Sequence, residues 1–218
     1  MTKPNVLLII TDQQNSDALS CAGNNDLHTP AMDGLANDGV RFQDAYCTYP
    51  LCTPSRASMF TGLMPSTLGI TGNDVELPAE TEELELGSLM RDAGYDTVYL
   101  GKWHVPEIAM PDGLHGFRTL AGFDDNAIVP AARRYFTEHS SAATEQPFFM
   151  VASFDNPHNI CEWARTQPLP WGEIEERPPA ECPNLPANFA VPPFEPEIIR
   201  RVIRAMPKVY FSGKTDRP

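Results

Sequence analysis

Residues 5–12, "NVLLIITD", form a short apolar run that stays uncharged until its last position. A run of this length, partly β-branched and bounded by polar residues, reads as a strand buried on both faces. "QPFFMVASF" (146–154) reads as another, and "DTVYLGKWH" (96–104) begins as a third. Strands buried on both faces belong to parallel sheets covered by helices, and the segments between them carry helical punctuation. "HTPAMDGLANDG" offers Thr29 as N-cap, Pro30 at the first helical position and Gly39 as its stop. "TEELELGSLMRDAGY" places Leu86, Leu89, Met90 and Ala93 on one stripe and closes at Gly94. "VRFQDAY" (40–46) alternates as a further strand. The expected class is α/β, with a largely parallel central sheet flanked by helices.

From Asn156 the composition shifts. "NPHNICEWARTQPLPWGEIEERPPAECPNLPANFAVPPFEPE" is too rich in proline for long helices or central strands. It reads as an ordered loop over a site, with Trp163, Trp171, Phe189 and Phe194 giving it something to bury. "PEIIRRVIRAMPKVYFSG" resumes a helical pattern before the chain stops at Pro218. The expected organisation is an α/β core over 1–158, a proline-rich loop region over 159–196, and a helix and tail over 197–218.

The formal net charge of −13 argues against a nucleic-acid or anionic-membrane partner, since both require basic surface. An anionic substrate would have to be held by local cations or a metal. The longest apolar run falls short of a membrane span, and no signal-peptide layout opens the chain, so its cellular address stays open. Cys21, Cys47, Cys52, Cys161 and Cys182 form no CxxC pair, which removes support for a zinc finger or a thioredoxin-type motif. A pairing of Cys161 with Cys182 is left undecided.

In open α/β sheets chemistry gathers at the carboxyl ends of the strands. Asp12 and Gln13 end the first run, Lys102 and His104 follow another, and His158 follows a third. Each alone also reads as a cap, a solvated edge or a turn residue. Together they weigh more. Lys102 and His104, two apart in extended chain, are expected to point the same way.

"CTPSRASMFTG" (52–62) suggests a helix beginning at Thr53 or Pro54, with Cys52 against its N-terminus and Arg56 one turn on. Cys52 then reads either as a buried thiol or as a nucleophile, with His104 or His158 as its base.

"CTPSRASMFTG" also resembles the type I sulfatase signature, C-x-P-S-R followed by a hydrophobic residue, Thr and Gly. "KPNVLLIITDQQ", "HTPAMDGLANDGVRFQDAYC" and "AGYDTVYLGKWH" agree with that family in order and type, over roughly the first 160 residues. The resemblance implies an alkaline-phosphatase-like α/β fold and hydrolysis of a sulfate ester on a sulfated sugar or another small molecule. It implies that a formylglycine-generating enzyme oxidises Cys52 to an aldehyde. One hydroxyl of the aldehyde hydrate attacks sulfur and expels the alcohol. Loss of a proton from the other then expels sulfate.

By the same resemblance Asp12, Gln13 and residue 52 surround a divalent cation, Ca²⁺ with Mg²⁺ as the alternative. Arg56 holds the gem-diol, Lys102 binds sulfate, His104 assists the second step, His158 protonates the leaving oxygen, and Asn73 contacts sulfate. Family members are longer, and their second half supplies an Asp-Asn or Asp-His pair and another lysine. Here Asp125-Asn126 and Asp155-Asn156 are the only Asp-Asn pairs, and neither has that context. The chain therefore reads as the N-terminal part of such a domain, and weak calcium binding and little activity are expected of it alone. Two other readings stand beside this one: a phosphodiester or phosphonate monoester hydrolase using the same aldehyde, disfavoured by Lys102-Trp103-His104, and an inactive fragment.

Overall fold

Strand β1 (Val6–Asp12) is followed along the chain by β2 (Asp96–Gly101), β3 (Arg118–Ala121) and β4 (Phe148–Pro157). The strand order is β1-β4-β2-β3 and every pairing is parallel. The computed structural model describes residues 3–75, 77, 81, 84–105, 114–142, 145–165, 167–172, 178–184, 190, 193–201 and 204. Because all four strands run the same way, their carboxyl ends share one edge.

Alternation along the strands sorts side chains to two faces. On one face Tyr99, Phe149 and Val151 meet Ala57 and Phe60 of α2 (Cys52–Thr61), joined by Trp103 and Phe117. On the other, Val98, Leu100, Met150 and Ala152 meet Ile128, Ala131 and Tyr135 of α5 (Asp125–Ser141). Burial of a side chain such as Phe60 or Leu100 stabilises this unit by roughly 1.5–3 kcal/mol. The short helices α3 (Pro65–Leu68) and α4 (Leu86–Asp92) complete the α2 side. On β1, Val6, Leu8 and Ile10 pack on the core while Leu7 and Ile9 stay 46% and 51% exposed.

The chain divides into two compact units: Met1–Gln14 with Phe42–His158, which holds the sheet, and Asn15–Arg41 with Asn159–Pro218. In the second unit, α1 (Pro30–Asp38) starts after Thr29 and ends before Gly39, as its punctuation predicts. Its Asp33 carboxylate accepts from Ser20 Oγ (2.7 Å), Cys21 N (2.8 Å) and Thr29 Oγ1 (3.1 Å), tying the 20–22 turn to the helix. The second unit also contains α6 (Ile160–Ala164) and a helical start at 197–201. Among the described residues no helix is long and apolar enough to cross a membrane.

Several expectations are corrected. Residues 40–46 form no strand. Val40, Phe42 and Tyr46 are 79–88% exposed, so the alternation meets no core face. In α4, Leu89 faces solvent while Leu86 and Met90 pack inward. Trp163 and Phe194 are 65% and 87% exposed rather than buried within the proline-rich segment, while Phe189 lies outside the described residues. The pairing of Cys161 with Cys182, which the sequence leaves open, does not occur, and both are free thiols. Helix α5 and strand β3 were not anticipated. Asp124 caps α5 by accepting from Asn126 N, and Pro130 inside the helix masks its pattern.

Gly101 is the pivot between β2 and the residues that follow it. Its φ is +92°, and an added Cβ would lie 2.0 Å from Ser153 O and 2.7 Å from Ile128 Cδ1. Gly101→Ala is expected to cost on the order of 2–4 kcal/mol in urea unfolding, from strain plus overlap. Gly122→Ala, which meets nothing within 4 Å, is expected to be near neutral. Equal midpoints for the two variants would contradict this packing.

Candidate functional site

The carboxyl edge of the sheet collects four buried charges. Asp12 ends β1, Lys102 follows β2, Asp155 lies near the end of β4, and Arg56 rises from α2 one turn after Cys52. Lys102 Nζ lies 2.6 Å from Asp12 Oδ2 and 2.8 Å from Asp155 Oδ1. Arg56 Nη2 lies 3.4 Å from Asp12 Oδ2. The four side chains are at most 10% exposed. Two cations and two carboxylates cancel, which is the condition for keeping charge in a low-dielectric interior.

The backbone beneath is held by the same residues. Arg56 Nη1 donates to Lys102 O (2.7 Å), Trp103 O (3.3 Å) and Ser153 Oγ (2.9 Å). Tyr99 Oη donates to Lys102 O (2.7 Å), and Lys102 N donates to Ser153 O (2.9 Å). Thr53 Oγ1 donates to His104 O (2.9 Å), so α2 and the 102–104 segment are locked together. Deleting the Arg56 guanidinium would strand several buried acceptors at once.

Cys52 is the first helical residue of α2, after an extended Leu51. Its Sγ lies 3.9 Å from Asp12 Oδ1. Burial and the Asp12 carboxylate push the thiol up, outweighing the opposing charges of Lys102 and Arg56. A cysteine hydrolase requires the opposite shift, so the thiolate reading loses its support. Asn73 Oδ1 accepts from Thr53 N (3.2 Å), and thereby caps the helix.

Burial alone would raise Asp12, yet the Lys102 hydrogen bond and the charges of Lys102, Arg56 and His158 hold it below the usual carboxylate range. Burial would lower Lys102, but its bonds to Asp12 and Asp155 carry it upward. His104 is depressed by partial desolvation of its ring and by the charges of Lys102 and Arg56, with Asp12 opposing. A neutral imidazole there can accept a proton. The segment from Lys102 to His104 lies beyond the end of β2, so the extended-chain relation expected between the two side chains does not apply. Lys102 is buried, whereas His104 is exposed with φ +47°, because the chain leaves β-geometry after Gly101. His158 Nδ1 lies 3.6 Å from Asp155 Oδ1, and His158 N donates to Asp155 O (2.8 Å). Gln13 follows Asp12, exposed and with φ +63°.

Asp155, Ser153 and Tyr99 were missed in the sequence. Asp155 carried one usable signal, its place at the end of an apolar run three residues before His158. The donors present do not fit a closed metal site. Calcium takes about six to eight oxygens. The Asp12 carboxylate is already engaged by Lys102 and Arg56, and no group of three His, Cys, Asp or Glu suited to a metal occurs among the described residues.

A family profile described as Sulfatase matches residues 4–193. The chain is 45% identical over 170 residues to an ulvan-active sulfatase of Formosa agariphila, covering 77% of this chain and 30% of that protein. It is 31% identical over 203 residues to the delta 4,5-hexuronate-2-O-sulfatase of Bacteroides thetaiotaomicron, covering 87% of this chain and 41% of that protein. The solved structure of a 2-O GAG sulfatase superposes with a TM-score of 0.68 at 30% identity, over 86% of this chain and 42% of that one. The chain thus spans less than half the length of these relatives. A phosphonate monoester hydrolase of Agrobacterium radiobacter, 23% identical with a TM-score of 0.57, shares the fold. With the profile running through both the strand-end residues and the residue 52 signature, the chain belongs to the sulfatase family.

Proposed function

We propose that the protein acts in hydrolysis of a sulfate ester on a sulfated saccharide, with residue 52 converted to formylglycine by a formylglycine-generating enzyme. The observation that carries the reading is the buried Lys102–Asp12–Arg56 cluster beside the first residue of α2. The raised thiol supports it from the other side, since unmodified Cys52 is a poor nucleophile at neutral pH. Relatives named as a hexuronate-2-O-sulfatase and an N-acetylglucosamine-6-O-sulfatase favour a sugar as the alcohol half of the ester.

Hydrated, the aldehyde supplies a gem-diol whose one hydroxyl is the nucleophile toward sulfur and whose other releases sulfate by restoring the carbonyl. The chain's own residues orient and neutralise. Arg56 and Lys102 offer N–H donors to the gem-diol and to the sulfate oxygens, where charge stabilisation lowers the barrier most. His104, held neutral, takes a proton as sulfate leaves. His158, half-buried at the rim, gives one to the departing alkoxide. Asn73, which caps α2, keeps the first helical turn aimed at the same point and contacts sulfate with its remaining donor. The second reading, a phosphonate hydrolase, has the shared fold alone behind it.

Calcium would be held by Asp12, Gln13 and residue 52, but that set does not complete a shell among the described residues. Turnover by these 218 residues alone is expected to be slight. What remains at millimolar Ca²⁺ is expected on an aryl sulfate rather than an aryl phosphonate, and to fall roughly 10²-fold in Lys102→Ala. Preference for the phosphonate would overturn the substrate class. Coexpressed with the modifying enzyme, the tryptic peptide containing Cys52 should carry the aldehyde mass and react with a hydrazide, and an intact thiol would contradict the proposal. In calorimetry, micromolar Ca²⁺ should produce no stoichiometric heat. A tight one-to-one isotherm would show that the donor set does close.

A further inference from the structure

The two Asp-Asn pairs that stand apart in the sequence meet in the fold. Asp125, the first residue of α5, places its carboxylate against the end of β4. Its Oδ1 accepts from Asp155 N (2.8 Å), and its Oδ2 accepts from Asn156 N (2.9 Å) and Asn156 Nδ2 (2.9 Å). One carboxylate thus holds three donors of the segment that leads to His158. That segment closes on itself, because His158 N donates back to Asp155 O. The Asp155 side chain, 5% exposed, turns a single oxygen, Oδ1, toward both Lys102 Nζ (2.8 Å) and His158 Nδ1 (3.6 Å).

We propose that Asp155 is a positioning residue that aims Lys102 and His158 together, and that Asp125 holds it in place from the N-terminus of α5. The reasoning is geometric. Lys102 has a long flexible stem, and only opposed acceptors fix where its ammonium points. Asp12 supplies one acceptor and Asp155 the other. For His158, a carboxylate facing Nδ1 favours the tautomer with its proton there, leaving Nε2 for a partner on the other side. Asp155 can serve both only while the end of β4 keeps its course. Helix α5 imposes that course, being anchored through Ile128, Ala131 and Tyr135 in the core. What Lys102 and His158 do for a substrate rests on the sulfatase reading, but their placement by Asp155 and Asp125 does not.

The test reads the histidine ring directly in the 218-residue chain. Nitrogen-15 NMR of His158, at a pH where the ring is neutral, should report the Nδ1–H tautomer as the major form. Asp155→Asn and Asp125→Asn should each remove that preference while the remaining backbone signals keep their folded dispersion. Asp125→Glu, which keeps the carboxylate, should restore part of it. If Asp125→Asn does not fold, Asn156→Ala, which removes one of the three bonds, should still weaken the preference. A wild-type ring in the Nε2–H form, or unchanged His158 signals in folded Asp125→Asn or Asn156→Ala, would overturn the proposal. The preference together with an intact Cys52 thiol after coexpression with the modifying enzyme would defeat the sulfatase reading and leave this one standing. Sulfate release with unchanged ring signals in folded Asp125→Asn would do the reverse.

Discussion

A buried ammonium held between two carboxylates is the interaction on which the rest of the site depends. Lys102 Nζ lies within 2.8 Å of both Asp12 and Asp155, and these residues come from three different strand ends. An isolated ammonium in that interior would carry a desolvation penalty of several kcal/mol. The strand ends must therefore converge for Lys102 to stay charged, and Lys102 must stay charged for two carboxylates to stay buried beside each other. Arg56 adds the fourth charge and stitches it to the backbone of residues 102 and 103. Parallel strand polarity makes the convergence possible. Gly101 permits it, because a side chain there would overlap Ser153 O.

The same balance bears on function. A neutral cluster has little long-range attraction for an anionic ester, and the net charge of −13 works against approach. Donor placement, rather than a surplus of positive charge, is what these residues offer. That suits group transfer, where aligned N–H groups matter more in the transition state than in the ground state. It also explains why Cys52 is unsuited to act as a thiolate, since the nearby Asp12 carboxylate opposes a second negative charge at that position.

Much of this was legible in the sequence, for reasons that differ by residue. The runs at 6–12, 96–101 and 148–154 were readable because strands buried on both faces leave continuous apolar stretches. Thr29, Pro30 and Gly39 marked α1 through local geometry that tertiary contacts did not override. Asp12, Lys102 and His158 were reachable because strand polarity sends such residues to one edge. The misses have physical causes as well. Residues 40–46 alternate in polarity, but alternation makes a strand only where a partner and a core face exist. Pro130 and the Arg133-Arg134 pair hid the apolar stripe of α5. Asp155 and Asp125 could not be paired from sequence, because what joins them is the docking of α5 against β4. The exposure of His104 beside buried Lys102 accompanies a positive φ at His104, which no polarity pattern records.

The central claim is that the Lys102–Asp155 pair is a mutual requirement rather than a surface ornament. A double-mutant cycle over Lys102→Met and Asp155→Leu, read by urea unfolding of the chain, measures it directly. Lys102→Met leaves the Asp155 carboxylate without its ammonium, and Asp155→Leu leaves Lys102 with Asp12 as its one carboxylate. Each should cost on the order of 3 kcal/mol, while the double variant should cost far less than their sum. Additive losses would contradict the account.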